Sequence, residues 1–196
     1  VFMAGCPLDC AWCHNPESQS YEPETMHFPE ECIGCKNCEN GKSCFTGARR
    51  IVGRTYSPEE LVQILQEDKA FYDESGGGVT FSGGEAFSFP QYLSQVLPEL
   101  KARHIHVAVQ TCGYFDYAAV SSLLPYIDLL YFDFKIMDGS MHEKWLGKPN
   151  TLIFENLKKL LKSDIRILPR IPLIPEFVAT RKNLDQLARF FVLNNL

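Results

Sequence analysis

Seven of the eight cysteines in this 196-residue chain fall within its first 44 residues: Cys6, Cys10, Cys13, Cys32, Cys35, Cys38 and Cys44. Only Cys112 lies beyond them. A secreted domain stapled by disulfides spreads its cysteines through a chain too small to build a core. Here 45% of the residues are hydrophobic, so a core is available and the thiols crowd one end. That distribution points to metal binding in a reducing, cytoplasmic compartment. The 19 basic residues against 24 acidic ones leave a net charge of -5, no electrostatic footprint for nucleic acid or an anionic membrane. No apolar run approaches the ~20 residues of a membrane span, and no signal-peptide pattern is present.

The chain divides into three stretches. Val1–Gly5 reads as a buried strand running into Cys6, so residues 1–15 make a first strand and its cysteine loop. Over residues 16–52 the composition turns acidic and rich in Cys, Gly and Pro, as in an inserted subdomain ordered by a metal. Residues 53–196 resume regular structure, and the chain reads as truncated at both ends. Ser57-Pro58-Glu59-Glu60 forms a capping box with Pro at the first helical position, and Leu61, Ile64, Leu65 and Tyr72 follow at helical spacing. Strands are expected at Val79–Ser82, His106–Thr111, Leu129–Ile136 and Ile165–Pro172. Helices are expected over Phe89–Arg103, near Tyr117–Leu124, through Ile153–Leu161 and over Asn183–Val192. Repeated strand–helix units imply parallel strands joined by right-handed crossovers.

Residues two apart in a strand share a face. Thr80 and Ser82, Ala108 and Gln110, Asp133 and Lys135, and Arg166 and Arg170 therefore fall on one side. Val79, Phe81, Val107, Val109, Phe132, Phe134 and Ile167 fall on the other. A complete eight-stranded barrel fills its interior with branched apolar side chains and takes ~250 residues. About five strands with a polar inner face instead imply a splayed, partial α/β barrel with a wet cavity. An ordinary doubly wound sheet is the alternative.

Cys6-Pro-Leu-Asp-Cys10-Ala-Trp12-Cys13 sets three thiols in one tight loop at the C-terminal end of the first strand, where such sheets keep their chemistry. Structural zinc sites and ordinary iron–sulfur centres take four protein ligands. Three thiolates leave a position open, and an open iron on a [4Fe–4S] cube can bind a chelating molecule and pass it an electron. A structural zinc knuckle is the alternative. The C-x3-C-x2-C spacing with Trp12 before its last cysteine resembles the radical S-adenosylmethionine (SAM) superfamily. Trp12-Cys13-His14-Asn15-Pro16 resembles, within it, the glycyl-radical-enzyme activating enzymes (pyruvate formate-lyase activating enzyme-like), and the Cys-rich stretch that follows points to their insert-containing subgroup.

Further motifs follow in collinear order. Gly83-Gly84-Glu85 resembles the family's GGE element, which implies a hold on the amino group of SAM; glycines permit close backbone approach and a carboxylate can receive an ammonium. Gln110-Thr111-Cys112-Gly113-Tyr114 resembles an Asp/Glu-Thr-x-Gly-Tyr strand end with Gln110 in place of the acid. Asp133-Phe134-Lys135 matches an Asp-x-Lys element. Arg170-Ile171-Pro172-Leu173-Ile174-Pro175 resembles an Arg-x-Pro-x-Ile-Pro-Gly segment with Glu176 in place of glycine. Gly147 and Asn150 fit either a Gly-x-x-Asn signal or a helix-start turn. The resemblance implies a partial (β/α)6-type TIM barrel, a catalytic [4Fe–4S] cluster on Cys6, Cys10 and Cys13, and SAM bound by Trp12, His14, Gly83, Gly84, Glu85, Gln110, Thr111, Asp133, Phe134, Lys135 and Arg170.

Cys32-Ile-Gly-Cys35-Lys-Asn-Cys38, followed by Cys44, resembles half of a bacterial-ferredoxin insert, whose usual run is C-x2-C-x2-C-x3-C-P. A second [4Fe–4S] cluster on these four is expected, with zinc as the alternative; its role is to relay electrons or dock a donor. The implied activity is reductive cleavage of SAM and removal of a hydrogen from a backbone glycine of a partner glycyl radical enzyme, with reduced flavodoxin or ferredoxin as electron donor. A radical SAM enzyme acting on a small molecule or peptide would share the SAM motifs, and a non-enzymatic iron–sulfur or zinc module is a further alternative. Cys112 reads as a small buried residue, and the histidines other than His14 as packed or solvated.

Overall fold

A computed structural model describes residues 1–40 and 43–196. In chain order its strands are β1 (Phe2–Met3), β2 (Thr25–His27), β3 (Arg49–Ile51), β4 (Gly78–Gly83), β5 (His106–Thr111), β6 (Leu129–Asp133) and β7 (Ile167–Arg170). The helices are α1 (Pro58–Glu67), α2 (Lys69–Ser75), α3 (Pro90–Ala102), α4 (Tyr117–Val120), α5 (Gly139–Leu146), α6 (Thr151–Leu160) and α7 (Arg181–Asn194). Five strands lie parallel in the order β1-β4-β5-β6-β7, while β2 and β3 form a separate antiparallel ribbon. Spatial order follows chain order, so every crossover steps the same way. A doubly wound sheet would reverse at a switch point. Among the described residues β1 and β7 do not pair, so the barrel stays open.

The register aligns Phe81 with Val109, Val109 with Leu130 and Leu130 with Ile167. On that face Val79, Phe81, Val107, Val109, Leu130 and Phe132 are buried beneath the helices. The other face carries Thr80, Ser82, Gln110, Tyr131, Asp133 and Arg170, none of them buried. The expected alternation therefore holds, with the polar side concave.

Local chemistry sets most element ends. The Ser57 hydroxyl accepts from the Glu60 N–H at 3.2 Å and the Glu60 carboxylate accepts from the Ser57 N–H at 2.9 Å, which closes the capping box of α1. The single helix expected through Tyr72 breaks at Asp68 (φ -90°, ψ 10°), and Ile64 is exposed. The eight-residue helix α5 lies outside the helices expected from sequence; Asp138 caps it by accepting the Met141 N–H at 3.1 Å, and Gly147 ends it in the left-handed region. Within residues 16–52 the ribbon pairs Thr25 with Ile51 and His27 with Arg49. Arg50 locks it, donating to both oxygens of Glu31 (2.6 and 3.1 Å) and lying 3.9 Å over the Phe28 ring.

Phe132 is fully buried on β6 against Phe134, 5.1 Å between ring centroids. Phe132→Ala is expected to cost about 3–5 kcal/mol of stability, read as a lower urea midpoint with an unchanged slope.

Candidate active site

β1 pairs with the end of β4, Phe2 beside Ser82 and Met3 beside Gly83, so the loop after Gly5 rises from the sheet's C-terminal edge. Four backbone bonds fix it: Cys6 N–H to Gln19 O (3.0 Å), Asp9 N–H to Leu146 O (2.9 Å), Ala11 N–H to Trp145 O (3.0 Å) and Cys13 N–H to Cys10 O (2.9 Å). Trp145 and Leu146 close α5, where carbonyls have no partner inside the helix; the loop satisfies them. A side chain at Gly147 would place its Cβ 3.3 Å from that of Asp9, so glycine lets the loop pass. Leu8 is buried with Ile136, Leu146 and Val178. Trp12 lies 5.0 Å from Phe177, which lies 4.8 Å from Trp145.

Cys6, Cys10 and Cys13 are all partly exposed on this pinned loop, and His14 beside them is exposed. Burial pushes the Cys10 thiol up to about 11 and also raises Cys13. A hydrogen bond from the buried Cys112 thiol draws Cys6 down, and burial raises Cys112 itself. Sequence spacing alone did not pair Cys112 with Cys6. The donor set is all sulfur, which suits iron–sulfur or zinc chemistry. Three such ligands on one loop fit a cube with one iron left open.

The glycine turn is pressed by protein. A Cβ at Gly83 would sit 2.4 Å from Met3 O, and one at Gly84 2.4 Å from Gly5 O and 2.6 Å from Ser18 O. Glycine is required there for β4 to lie against β1. Glu85 is fully buried; its carboxylate accepts from the Thr111 hydroxyl (2.8 Å), the Cys112 N–H (2.7 Å) and the Phe87 N–H (3.1 Å). Burial raises its pKa. Glu85 and Thr111, read from sequence as ligand contacts, are thus turned to each other because both are inside, where they join the ends of β4 and β5. Phe134 likewise faces the helices, 4.8 Å from Phe191, and not the cavity.

The concave face holds one connected network. The Ser82 hydroxyl and Arg170 Nη1 both donate to Gln110 Oε1, at 2.9 and 2.8 Å. Gln110 Nε2 donates to Asp133 at 3.2 Å, Lys135 Nζ lies 3.4 Å from Asp133, and Arg170 Nε 3.9 Å. Gln110 can join these groups because its amide both accepts and donates; a carboxylate there could not donate to Asp133. Burial alone would lower Lys135, but Asp133 together with Cys112, Cys10 and Glu85 outweighs it and holds the amine charged. Two cations against one anion favour a ligand bearing a carboxylate.

The segment carrying Lys135 is fixed by two asparagines, Asn183, which the sequence marked only as a helix start, and Asn150. Asn183 Nδ2 donates to Lys135 O (2.8 Å) and its Oδ1 accepts the Met137 N–H (2.8 Å). Asn150 Nδ2 reaches Ile136 O and Met137 O, both 3.0 Å; the Gly147/Asn150 spacing was the one signal for it. His142 is packed, its Nδ1 2.6 Å from Lys148 O.

In residues 16–52, Cys32 and Cys35 are exposed, Cys38 lies in the turn Asn37–Asn40, and the Cys44 thiol is drawn down to about 7 by the Thr46 hydroxyl 3.5 Å away. Among the described residues no three His, Cys, Asp or Glu side chains converge as a single metal ion would ask. A cube takes each thiolate on a separate iron and asks for spacing instead.

Glu85→Gln replaces one accepting oxygen by a donor and is expected to cost about 1–3 kcal/mol of stability in the protein without ligand. Denaturant unfolding checks this, and an unchanged midpoint would leave Glu85 a ligand contact only.

The radical SAM superfamily model matches residues 1–188. The trans-4-hydroxy-L-proline dehydratase activating enzyme of Clostridioides difficile is 37% identical, over 94% of this chain and 70% of that protein. The (2S)-3-sulfopropanediol sulfolyase activating enzyme of Bilophila wadsworthia is 35% identical, over 94% and 72%. Among solved structures, a domain of a pyruvate-formate lyase-activating enzyme from Bacteroides vulgatus superposes with a TM-score of 0.54 at 34% identity, covering 59% of this chain and 71% of that one. With the three-thiol loop and the open parallel sheet, these similarities place the chain in the radical SAM superfamily, among the activating enzymes of glycyl radical enzymes.

Proposed function

We propose that this chain activates a glycyl radical enzyme by reductive cleavage of SAM, taking a hydrogen from a backbone glycine of that partner. The observation that carries the reading is a loop of three thiols, one ligand short of a closed site, at the rim of a concave face bearing Lys135, Arg170 and Asp133. In this reading Cys6, Cys10 and Cys13 hold a [4Fe–4S] cluster and the face holds SAM. When bound, these groups supply an electron, cleavage of a sulfonium carbon–sulfur bond and the carbon radical that abstracts hydrogen.

The protein's own residues bind and orient. Lys135 and Arg170 receive the carboxylate and Asp133 the ammonium, while Gln110 keeps Arg170 and Asp133 in register. Trp12 and His14 flank the ligand from the thiol loop, and the Gly83–Gly84 backbone borders it. Glu85, Thr111 and Phe134 support these groups from behind. The gap between β1 and β7 admits the partner's glycine loop. Residues 1–15, 16–52 and 53–196 act as cluster loop, insert and scaffold. Cys32, Cys35, Cys38 and Cys44 hold a second [4Fe–4S] cluster that relays electrons from reduced flavodoxin or ferredoxin. So many free thiols suit a reducing cytoplasm, and no helix among the described residues is long and apolar enough to cross a membrane.

Anaerobically reconstituted protein with dithionite and SAM is expected to form methionine and 5′-deoxyadenosine, and with its partner enzyme a glycyl radical signal in electron paramagnetic resonance. Cys10→Ala should abolish both. Turnover of SAM with no radical on any candidate partner would reject the activase reading; no cleavage would reject the enzyme reading. Cys35→Ala should keep activity with dithionite and lose most of it with a protein donor. Equal loss with both would assign the insert to folding.

A further inference from the structure

Arg170 ends β7, yet its side chain is used two strands away. Its Nη1 donates to Gln110 Oε1 on β5 at 2.8 Å, so the guanidinium bridges across β6. In register Arg170 stands opposite Asp133, while Tyr131 stands between Gln110 on one side and Leu168 on the other. The concave side of β6 thus presents Asp133 at the level of Arg170 and Tyr131 one step below, on the diagonal that a long side chain reaches. The guanidinium carbon lies over the Tyr131 ring, 5.6 Å from its centroid and within the range of a cation–π contact, and Nε lies 3.9 Å from Asp133.

Tyr131 is half-buried on this face and belongs to none of the motifs that marked the site. The two cations of the face are held by different means. Lys135 keeps only 12% of its side chain exposed and lies 3.4 Å from Asp133. Arg170 keeps 49% exposed, so water competes for it and a long side chain has much rotamer freedom to lose. One hydrogen bond and a distant carboxylate leave the guanidinium able to turn. A ring beneath the bridge limits that turning. A guanidinium has five N–H groups, and the bond to Gln110 uses one, so a bidentate grip on a carboxylate stays within its means.

We infer that Tyr131 is a positioning residue for ligand binding: its ring holds the Arg170 guanidinium in place across β6, so that Arg170 meets the carboxylate of SAM already ordered. This rests on the reading that the concave face holds SAM. The contact is made by the ring and not by the phenol hydroxyl. An ordered guanidinium loses less freedom when the ligand arrives, and the gain appears as affinity.

The test measures SAM binding to the reconstituted holoprotein by equilibrium dialysis, per cluster present. The wild type comes first: if it holds no cluster or binds no SAM, the underlying reading falls and the Tyr131 assignment with it, a failure told apart because no variant is needed to see it. Tyr131→Leu keeps an apolar side chain and removes the ring; it should bind SAM about two- to fivefold more weakly. Tyr131→Phe keeps the ring and should bind as the wild type does. In an Arg170→Ala background, which itself weakens binding, Tyr131→Leu should cost nothing further. Unchanged affinity in Tyr131→Leu overturns the inference. So does an equal loss in Tyr131→Phe, or a loss in Tyr131→Leu that persists without Arg170, because a merely structural role would give that last result. Should leucine prevent cluster assembly, Tyr131→Met, flexible and without a ring, takes its place with the same expectations.

Discussion

The last turn of α5 holds the chemistry in place. A helix end leaves carbonyls without internal partners, and here those of Trp145 and Leu146 accept N–H groups from Ala11 and Asp9. With the Cys6 N–H on Gln19 O, they clamp an eight-residue loop that would otherwise be a flexible excursion from a two-residue edge strand. Three thiols are useful as a cluster site only if their relative positions survive thermal motion. The clamp and the buried Leu8 provide that.

Behind the loop, a second layer of buried polar bonds aligns the cavity. Glu85 ties the turn after β4 to the end of β5 through Thr111 and Cys112, and Asn183 and Asn150 tie the segment after β6. Each spans elements distant in sequence. The concave face between them is a charged network made continuous by a neutral amide. Gln110 accepts from Ser82 and Arg170 while donating to Asp133, so it reconciles groups that a carboxylate would set against one another.

Much of this was legible beforehand. The strands β4 and β5 and the helices α3 and α6 follow from alternation and helical spacing, because each buries one face and leaves the other polar. Ser57 announced its helix through a bond confined to four residues. What stayed hidden lacked a periodic signal. The helix α5 is only eight residues long, and the ribbon β2–β3 pairs residues more than twenty positions apart. Glu85, Thr111 and Phe134 carried motif positions, yet a motif names a residue and not the side on which it faces.

Sequence alone determined the chemistry available: seven thiols at one end, a loop with three of them, and strands whose polar residues share a face. These are properties of spacing, which the backbone's fixed periods convert directly into faces and loops. Only the tertiary structure decided which groups meet. Long-range packing buried Glu85 against Thr111, set Cys112 beside Cys6 and spent the carbonyls of α5 on the thiol loop. Such contacts join residues far apart along the chain, so they arise only once the core has closed.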